Sequence, residues 1–140
     1  MSTILIMGLP GSGKTTLAEH LQQRIWEDGR TCAWFNADKV REQYDDWDFS
    51  EAGRIRQSIR MRDLAKNATT DYVICDFVAP TPEIRDLFSA DVTVWVDTID
   101  VGRFEDTNKI FVQPVRYDHR VLTQDAGNWS EVIWKALKEV

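Results

Sequence analysis

Gly8-Leu9-Pro10-Gly11-Ser12-Gly13-Lys14-Thr15 spells G-x-x-x-x-G-K-[ST]. The chemistry this spacing asks for is phosphate binding. Glycines let backbone N–H groups curl around an anion. A helix opening at the end of the motif adds its positive dipole end. Lys14 is placed to reach the β- and γ-phosphates of a nucleotide, and the Thr15 hydroxyl to ligate Mg²⁺. Gly8, Pro10, Gly11, Ser12, Gly13, Lys14, Thr15 and Thr16 form the expected phosphate-binding set.

A second group follows within thirty residues. Asn36 and Asp38 end an apolar run, Arg41 comes one helical turn later, and Phe49, Arg54 and Arg60 follow. A carboxylate beside a γ-phosphate can accept the proton of an attacking hydroxyl. Asp38 is the candidate for that role. Arginines clamp anions in a bidentate way, so Arg41, Arg54 and Arg60 are candidates for an anionic acceptor, with Asn36 beside them. Phe49 could stack on a flat ring. Asp76 ends another apolar run, where an acid can hold Mg²⁺ or cap the following turn; Asp97 stands in a similar place and reads as the bland case. Arg56 and Arg62 read as a solvated face paired with neighbouring acids.

These residues need a scaffold, and the hydrophobic pattern supplies one. Residues 4–7, 31–35, 72–75 and 92–96 are short apolar runs suited to strands covered on both faces. Residues 120–123 suggest a fifth, short strand. Leu17, Ala18, Leu21 and Ile25 give a helical stripe closed by Gly29. A helix is expected from Ser50, as N-cap, to Asn67, and another from Thr81 or Pro82 through Phe88. The last stripe is Trp129, Val132, Ile133, Ala136, Leu137 and Val140, with Asn128 and Glu131 spelling a capping box. Residues 99–117 show no period and read as a loop or short lid. Strands alternating with helices imply an α/β protein: a three-layer P-loop NTPase fold, with about five parallel strands and helices on both faces. Ligands then belong beyond the carboxyl ends of the strands.

The totals bound the partners. At 140 residues the chain reads as one domain, with 17 basic against 23 acidic residues and a net charge of −6. That balance argues against broad binding of nucleic acid or an anionic membrane. No run approaches the roughly 18 apolar residues of a spanning helix. Cys32 and Cys75 sit inside apolar runs and read as buried thiols of a reducing compartment, so the cytosol is expected. The sequence is compatible with a homodimer and does not fix the oligomeric state.

Taken together, these stretches resemble the adenylylsulfate kinases, which phosphorylate the 3′-hydroxyl of adenosine 5′-phosphosulfate (APS). That family's pattern runs from a loop like GLPGSGKTTLA through an acid-x-acid-x-x-Arg segment to Gly-Phe-Ser and an Arg…Asn-Ile-Arg helix. Here these read Asn36-Ala37-Asp38-Lys39-Val40-Arg41, Asp48-Phe49-Ser50 and Arg54…Ser58-Ile59-Arg60. Asp76-Phe77-Val78-Ala79-Pro80 is similar to its Ser-Phe-Ile-Ser-Pro stretch, Val94-Trp95-Val96-Asp97-Thr98 to its Phe-Val-Asp-Thr strand, and residues 104–111 to its lid. The resemblance covers most of residues 3–112.

It implies ATP as co-substrate with Mg²⁺, a small anionic acceptor, and catalysis assisted by Asp38. It further implies that Arg41, Arg54 and Arg60 hold the phosphosulfate end and that Phe49 stacks on adenine. Val78 and Ala79 would supply backbone near the acceptor, and Lys109 the lid's cation. Asn36 stands where the family has an acid, and Asp76 where it has Ser. If Asp76 takes over the metal from position 36, the chemistry survives the exchange. Two other functions fit the motifs: a P-loop kinase for a nucleoside, nucleotide or nucleic-acid hydroxyl, and a non-catalytic nucleotide-binding module. Polynucleotide kinases also carry an Asn-x-Asp-x-x-Arg segment after strand two.

Overall fold

Alternate residues of the first strand point to opposite faces of a sheet, and both faces here are apolar. Ile4 and Ile6 enter one core; Leu5 and Met7 enter the other. A strand apolar on both sides must lie between two helical layers. The structure, a computed structural model, describes residues 2–102 and 104–139. It has β1 (Ser2–Met7), α1 (Lys14–Glu27), β2 (Cys32–Asn36), α2 (Ala37–Tyr44), α3 (Glu51–Asn67) and β3 (Tyr72–Asp76). These are followed by α4 (Pro82–Phe88), β4 (Val92–Val96), α5 (Glu105–Ile110), β5 (His119–Val121) and α6 (Ala126–Lys138).

The sheet is parallel throughout, in the order β2-β3-β1-β4-β5. Leu17, Leu21 and Ile25 of α1 and Ile133, Trp134 and Leu137 of α6 cover one face. Val40 of α2, Met61 and Ala65 of α3, and Ile84 and Phe88 of α4 cover the other. Cys32 and Cys75 are free and buried, and burial pushes the Cys32 thiol up to about 12. The sheet's carboxyl ends bring Met7, Asn36, Asp76 and Val96 to one side, where the connecting loops gather.

Several elements differ from the sequence expectation, among them β5, which spans His119–Val121 rather than 120–123. β2 ends one residue later, at Asn36, whose side chain then accepts from Lys39 N as the N-cap of α2. α6 begins at Ala126 under Asp125, whose side chain accepts from Asn128 N, so Asn128 is inside the helix rather than its cap. Its inward stripe takes Trp134 and leaves Val132 half exposed; Val140 lies outside the described residues. The 99–117 stretch contains a six-residue helix, α5, which opens at Phe104 with no side-chain cap. The N-terminus of α3 is as expected: the Ser50 side chain accepts from Gly53 N.

Candidate active site

The phosphate loop is held from behind. Thr98 Oγ1 donates to Ser12 O at 2.7 Å, and Gln124 Nε2 donates to Gly11 O and Ser12 O at 3.3 and 3.4 Å. In a trans peptide the N–H points opposite its carbonyl, so the Gly13 N–H faces away from this brace. The first-turn amides of α1 have no intrahelical partner and face the same loop. Gly13 precedes Lys14 with φ 103°, and Gly8 adopts φ 152°, both in the region that favours glycine. At Gly8 space forbids a side chain as well, since a Cβ would lie 2.4 Å from Val96 O. Lys14 Nζ donates to Leu9 O at 3.0 Å. The Ser12 hydroxyl is buried and has no hydrogen-bond partner among the described residues.

A cleft of about 820 Å³ runs from this loop across the sheet ends to the region between α2, α3 and α5. Gly11, Lys14 and Thr15 line its donor end, Asp38 and Asp76 its middle, and Arg41, Phe49 and Arg54 its far end. Val78 and Ala79 contribute the wall between. Ala79 is fully buried with φ 47°, a strained conformation for a residue with a Cβ.

Asp76 and Asn36 are directly opposed in the β2–β3 register. Asn36 Nδ2 donates to both Asp76 oxygens, at 3.1 and 3.3 Å, and to Thr15 Oγ1 at 3.2 Å. Thr15 Oγ1 donates to Asp76 Oδ1 at 3.4 Å, and Trp34 Nε1 donates to Asp76 Oδ2 at 2.6 Å. Burial raises the Asp76 pKa; the bonds from Trp34 and Asn36 and the Lys14 charge oppose that rise. A carboxylate and a hydroxyl this close are hard oxygen donors. They suit Mg²⁺, which takes one or two protein oxygens and completes its shell with water and substrate phosphates. No cluster of three or more His, Cys, Asp or Glu positioned to hold a metal occurs among the described residues.

On the acceptor side the arginines divide. Arg41 is only 4% exposed. It donates to Asp46 O and Asp48 O at 3.0 and 3.1 Å and lies 4.3 Å from the centre of the Phe49 ring. Arg54 donates to Phe49 O at 2.7 Å and to Thr107 Oγ1 of α5 at 3.5 Å. Burial lowers the pKa of both guanidiniums. Arg60 does not line the cleft. It bonds Asp46 at 3.0 Å and Gln57 at 2.8 Å and stacks on Tyr44. Asp46 also takes Arg56, and these bonds hold its carboxyl far below the usual range. Lys109 also stays outside the cleft, on the exposed side of α5, paired with Glu105 at 3.5 Å. Arg62 pairs with Asp63, and Asp97 with Arg120.

Further residues complete the site. Gln57 lines the cleft and donates to Ala37 O at 3.0 Å; its place midway between Arg54 and Arg60, three residues from each, was the available clue. Trp47, half exposed, lies at the mouth beside Phe49, 6.5 Å between ring centres. Asp106 and Thr107 enter from α5. Arg85 donates to Ala79 O at 2.8 Å and to Val112 O, while Val112 N donates to Pro80 O at 2.7 Å. One side chain therefore joins the acceptor wall to the end of the lid.

A parallel sheet in this order, with a glycine loop leading from β1 into α1 and a threonine and an acid at its mouth, defines a P-loop nucleotide-binding protein. The adenylylsulphate kinase family model matches residues 1–112. The chain belongs to that family. It is 33% identical over 87 residues to the bifunctional enzyme CysN/CysC of Rhodopirellula baltica; the match covers 60% of this chain and 13% of that protein. The structure resembles the APS kinase CysC of Mycobacterium tuberculosis in complex with AMPPNP and APS, with a TM-score of 0.84 at 21% identity, covering 98% of this chain and 97% of that one. It also resembles the hexameric APS kinase of Thiobacillus denitrificans, with a TM-score of 0.77 at 25% identity, covering 98% of this chain and 28% of that one. No helix among the described residues is long and apolar enough to cross a membrane.

Proposed function

We propose that the chain transfers the γ-phosphoryl group of ATP to the 3′-hydroxyl of APS. The observation that carries the reading is the continuity of one cleft from the phosphate loop, past Asp38, to Arg41, Phe49 and Arg54. Membership of the family supports it. The loop amides and Lys14 stabilise charge on the equatorial oxygens, so catalysis is mainly positioning and electrostatics. Thr15 and Asp76 would hold Mg²⁺, which when bound neutralises phosphate charge. Asp38, on the exposed first turn of α2, orients the acceptor hydroxyl and takes its proton.

Phe49 offers its ring to the acceptor base, and Arg54 faces the acceptor's anionic end. Arg41 shapes the 46–49 loop from beneath that ring. Arg60 contributes through Asp46 and Gln57, and Lys109 acts only if α5 turns. Two buried free cysteines favour a reducing compartment, and we place the reaction in the cytosol.

A second reading, transfer to another nucleotide or nucleoside hydroxyl, is favoured by Asp106, an acid lining the cleft near Arg54. A coupled ATP-consumption assay against APS, nucleosides, nucleotides and 5′-hydroxyl DNA decides between them. Saturable stimulation by APS is the expected result. Stimulation by another acceptor and none by APS replaces the first reading with the second.

A further inference from the structure

Six tryptophans are many for 140 residues, and one of them touches the chemistry. Trp34 and Asn36 lie two apart on β2, so their side chains share a face of the sheet. Across the β2–β3 ladder Trp34 opposes Ile74 and Asn36 opposes Asp76. From one pair back, the long indole can reach diagonally to the next residue of the partner strand. It does so: Trp34 Nε1 lies 2.6 Å from Asp76 Oδ2. The ring packs against the core on the α1 side of the sheet, which fixes it in place.

An indole N–H donates only and has no other role to play. It therefore assigns the two carboxylate oxygens different duties. Oδ2 is engaged by Trp34 at 2.6 Å and by Asn36 at 3.3 Å. Oδ1 accepts from Thr15 at 3.4 Å and from Asn36 at 3.1 Å and has no bond as short as that of the indole. The Thr15 contact is the one from the phosphate-loop side.

We infer that Trp34 is the positioning residue of the metal carboxylate: its indole N–H holds Asp76 so that Oδ1 stays turned toward the Thr15 hydroxyl. The inference rests on the proposed Mg²⁺ role of Thr15 and Asp76, and not on the identity of the acceptor. The charged end of β3 thus involves three residues rather than one. Asn36 bridges the strands, Asp76 carries the charge, and Trp34 fixes its rotamer. Partners that orient a metal ligand typically matter by about 10- to 100-fold in metal affinity or activity.

The test is a calorimetric titration of the nonhydrolysable ATP analogue AMPPNP at varied free Mg²⁺, with no acceptor present. Trp34→Phe keeps an aromatic ring and deletes the donor. It should raise the Mg²⁺ concentration for half-maximal tightening of AMPPNP binding by about tenfold, while leaving AMPPNP affinity in EDTA unchanged. An unchanged Mg²⁺ requirement overturns the inference. So does equal weakening with and without Mg²⁺, which would mean a disturbed nucleotide site. If Trp34→Phe does not fold, 3-benzothienylalanine at position 34 puts sulfur in place of N–H within the same ring outline, and the same two outcomes apply. Turnover of wild-type protein with APS is scored separately, so a wrong acceptor and a wrong role for Trp34 give different failures.

Discussion

The two ends of the cleft are built in different ways. The donor end is made of backbone: loop amides, a helix terminus and two carbonyls tied back by Thr98 and Gln124. The acceptor end is made of side chains already engaged with the protein, as Arg41 is with two carbonyls and Arg60 with Asp46. Backbone geometry tolerates little change, because Gly8 and Gly13 have no substitutes at their φ values. Side-chain networks can be re-paired one charge at a time. A fold of this kind can keep its phosphate donor while its acceptor end is rebuilt, and Asn36 and Asp76 lie where the two ends meet.

Breaking the donor end should have the largest effect. Lys14→Ala should lower kcat by about 10³-fold, as loss of a transition-state donor does, with an unchanged far-UV circular dichroism spectrum. A kcat near wild type would remove Lys14 from the chemistry. Asp38→Asn tests the middle of the cleft. It should lower kcat by about 10²-fold with little change in either KM; a change confined to the acceptor KM would make Asp38 a binding group.

The acceptor end then divides in a graded way. Arg54→Ala should raise the acceptor KM by about tenfold and leave the ATP KM unchanged, the size expected of a hydrogen bond to a charged group. Arg60→Ala should raise it less, because Arg60 acts through Asp46 and Gln57. Equal effects of the two variants would contradict the division drawn from their contacts. Gly53→Ala probes the same network without touching a charge. Its Cβ would lie 2.1 Å from Asp48 O, so the 46–49 loop must move. A stability loss of about 1–3 kcal/mol by urea denaturation is expected, together with a weakened acceptor KM.

The smallest effect is one of pH. Arg56 and Arg60 depress the Asp46 pKa in the folded state. The folded value lies below the unfolded one, so this contribution is fully present above about pH 4 and is lost as pH falls below it. Asp46→Asn should be less stable at pH 7 and show a shallower loss of stability between pH 4 and pH 2. An acid limb as steep as that of wild type would place the depressed acid elsewhere.

What could be read in the sequence follows the same division. The phosphate loop was legible because its function lies in one contiguous run of backbone, and the sheet because its strands are apolar on both faces. The acceptor side offered four arginines within nine residues, from Arg54 to Arg62. Which of them faces the cleft depends on Asp46, a surface-looking acid that gathers Arg56 and Arg60 on itself. No period or motif marks that choice. Trp34 needed the strand register before its reach to Asp76 could be seen. α5 escaped notice because six residues opening on Phe104 carry neither a cap nor a full apolar stripe. In α6 the stripe was legible through Ile133 and Leu137, which are buried, but it included Val132, which is half exposed, and left out Trp134, which turns inward.

The Arg85 bridge has a kinetic consequence. Parting the acceptor wall from the end of the lid means breaking the bonds to Ala79 O and Val112 O and the one from Val112 N to Pro80 O together. That corner behaves as the closed edge of a purse. Trp47 and Phe49, by contrast, stand half exposed at the cleft mouth, and on the proposed reading acceptor and product would pass there. A Trp47→Ala change would then be expected to alter product release before it alters the chemical step, which burst-phase kinetics would read.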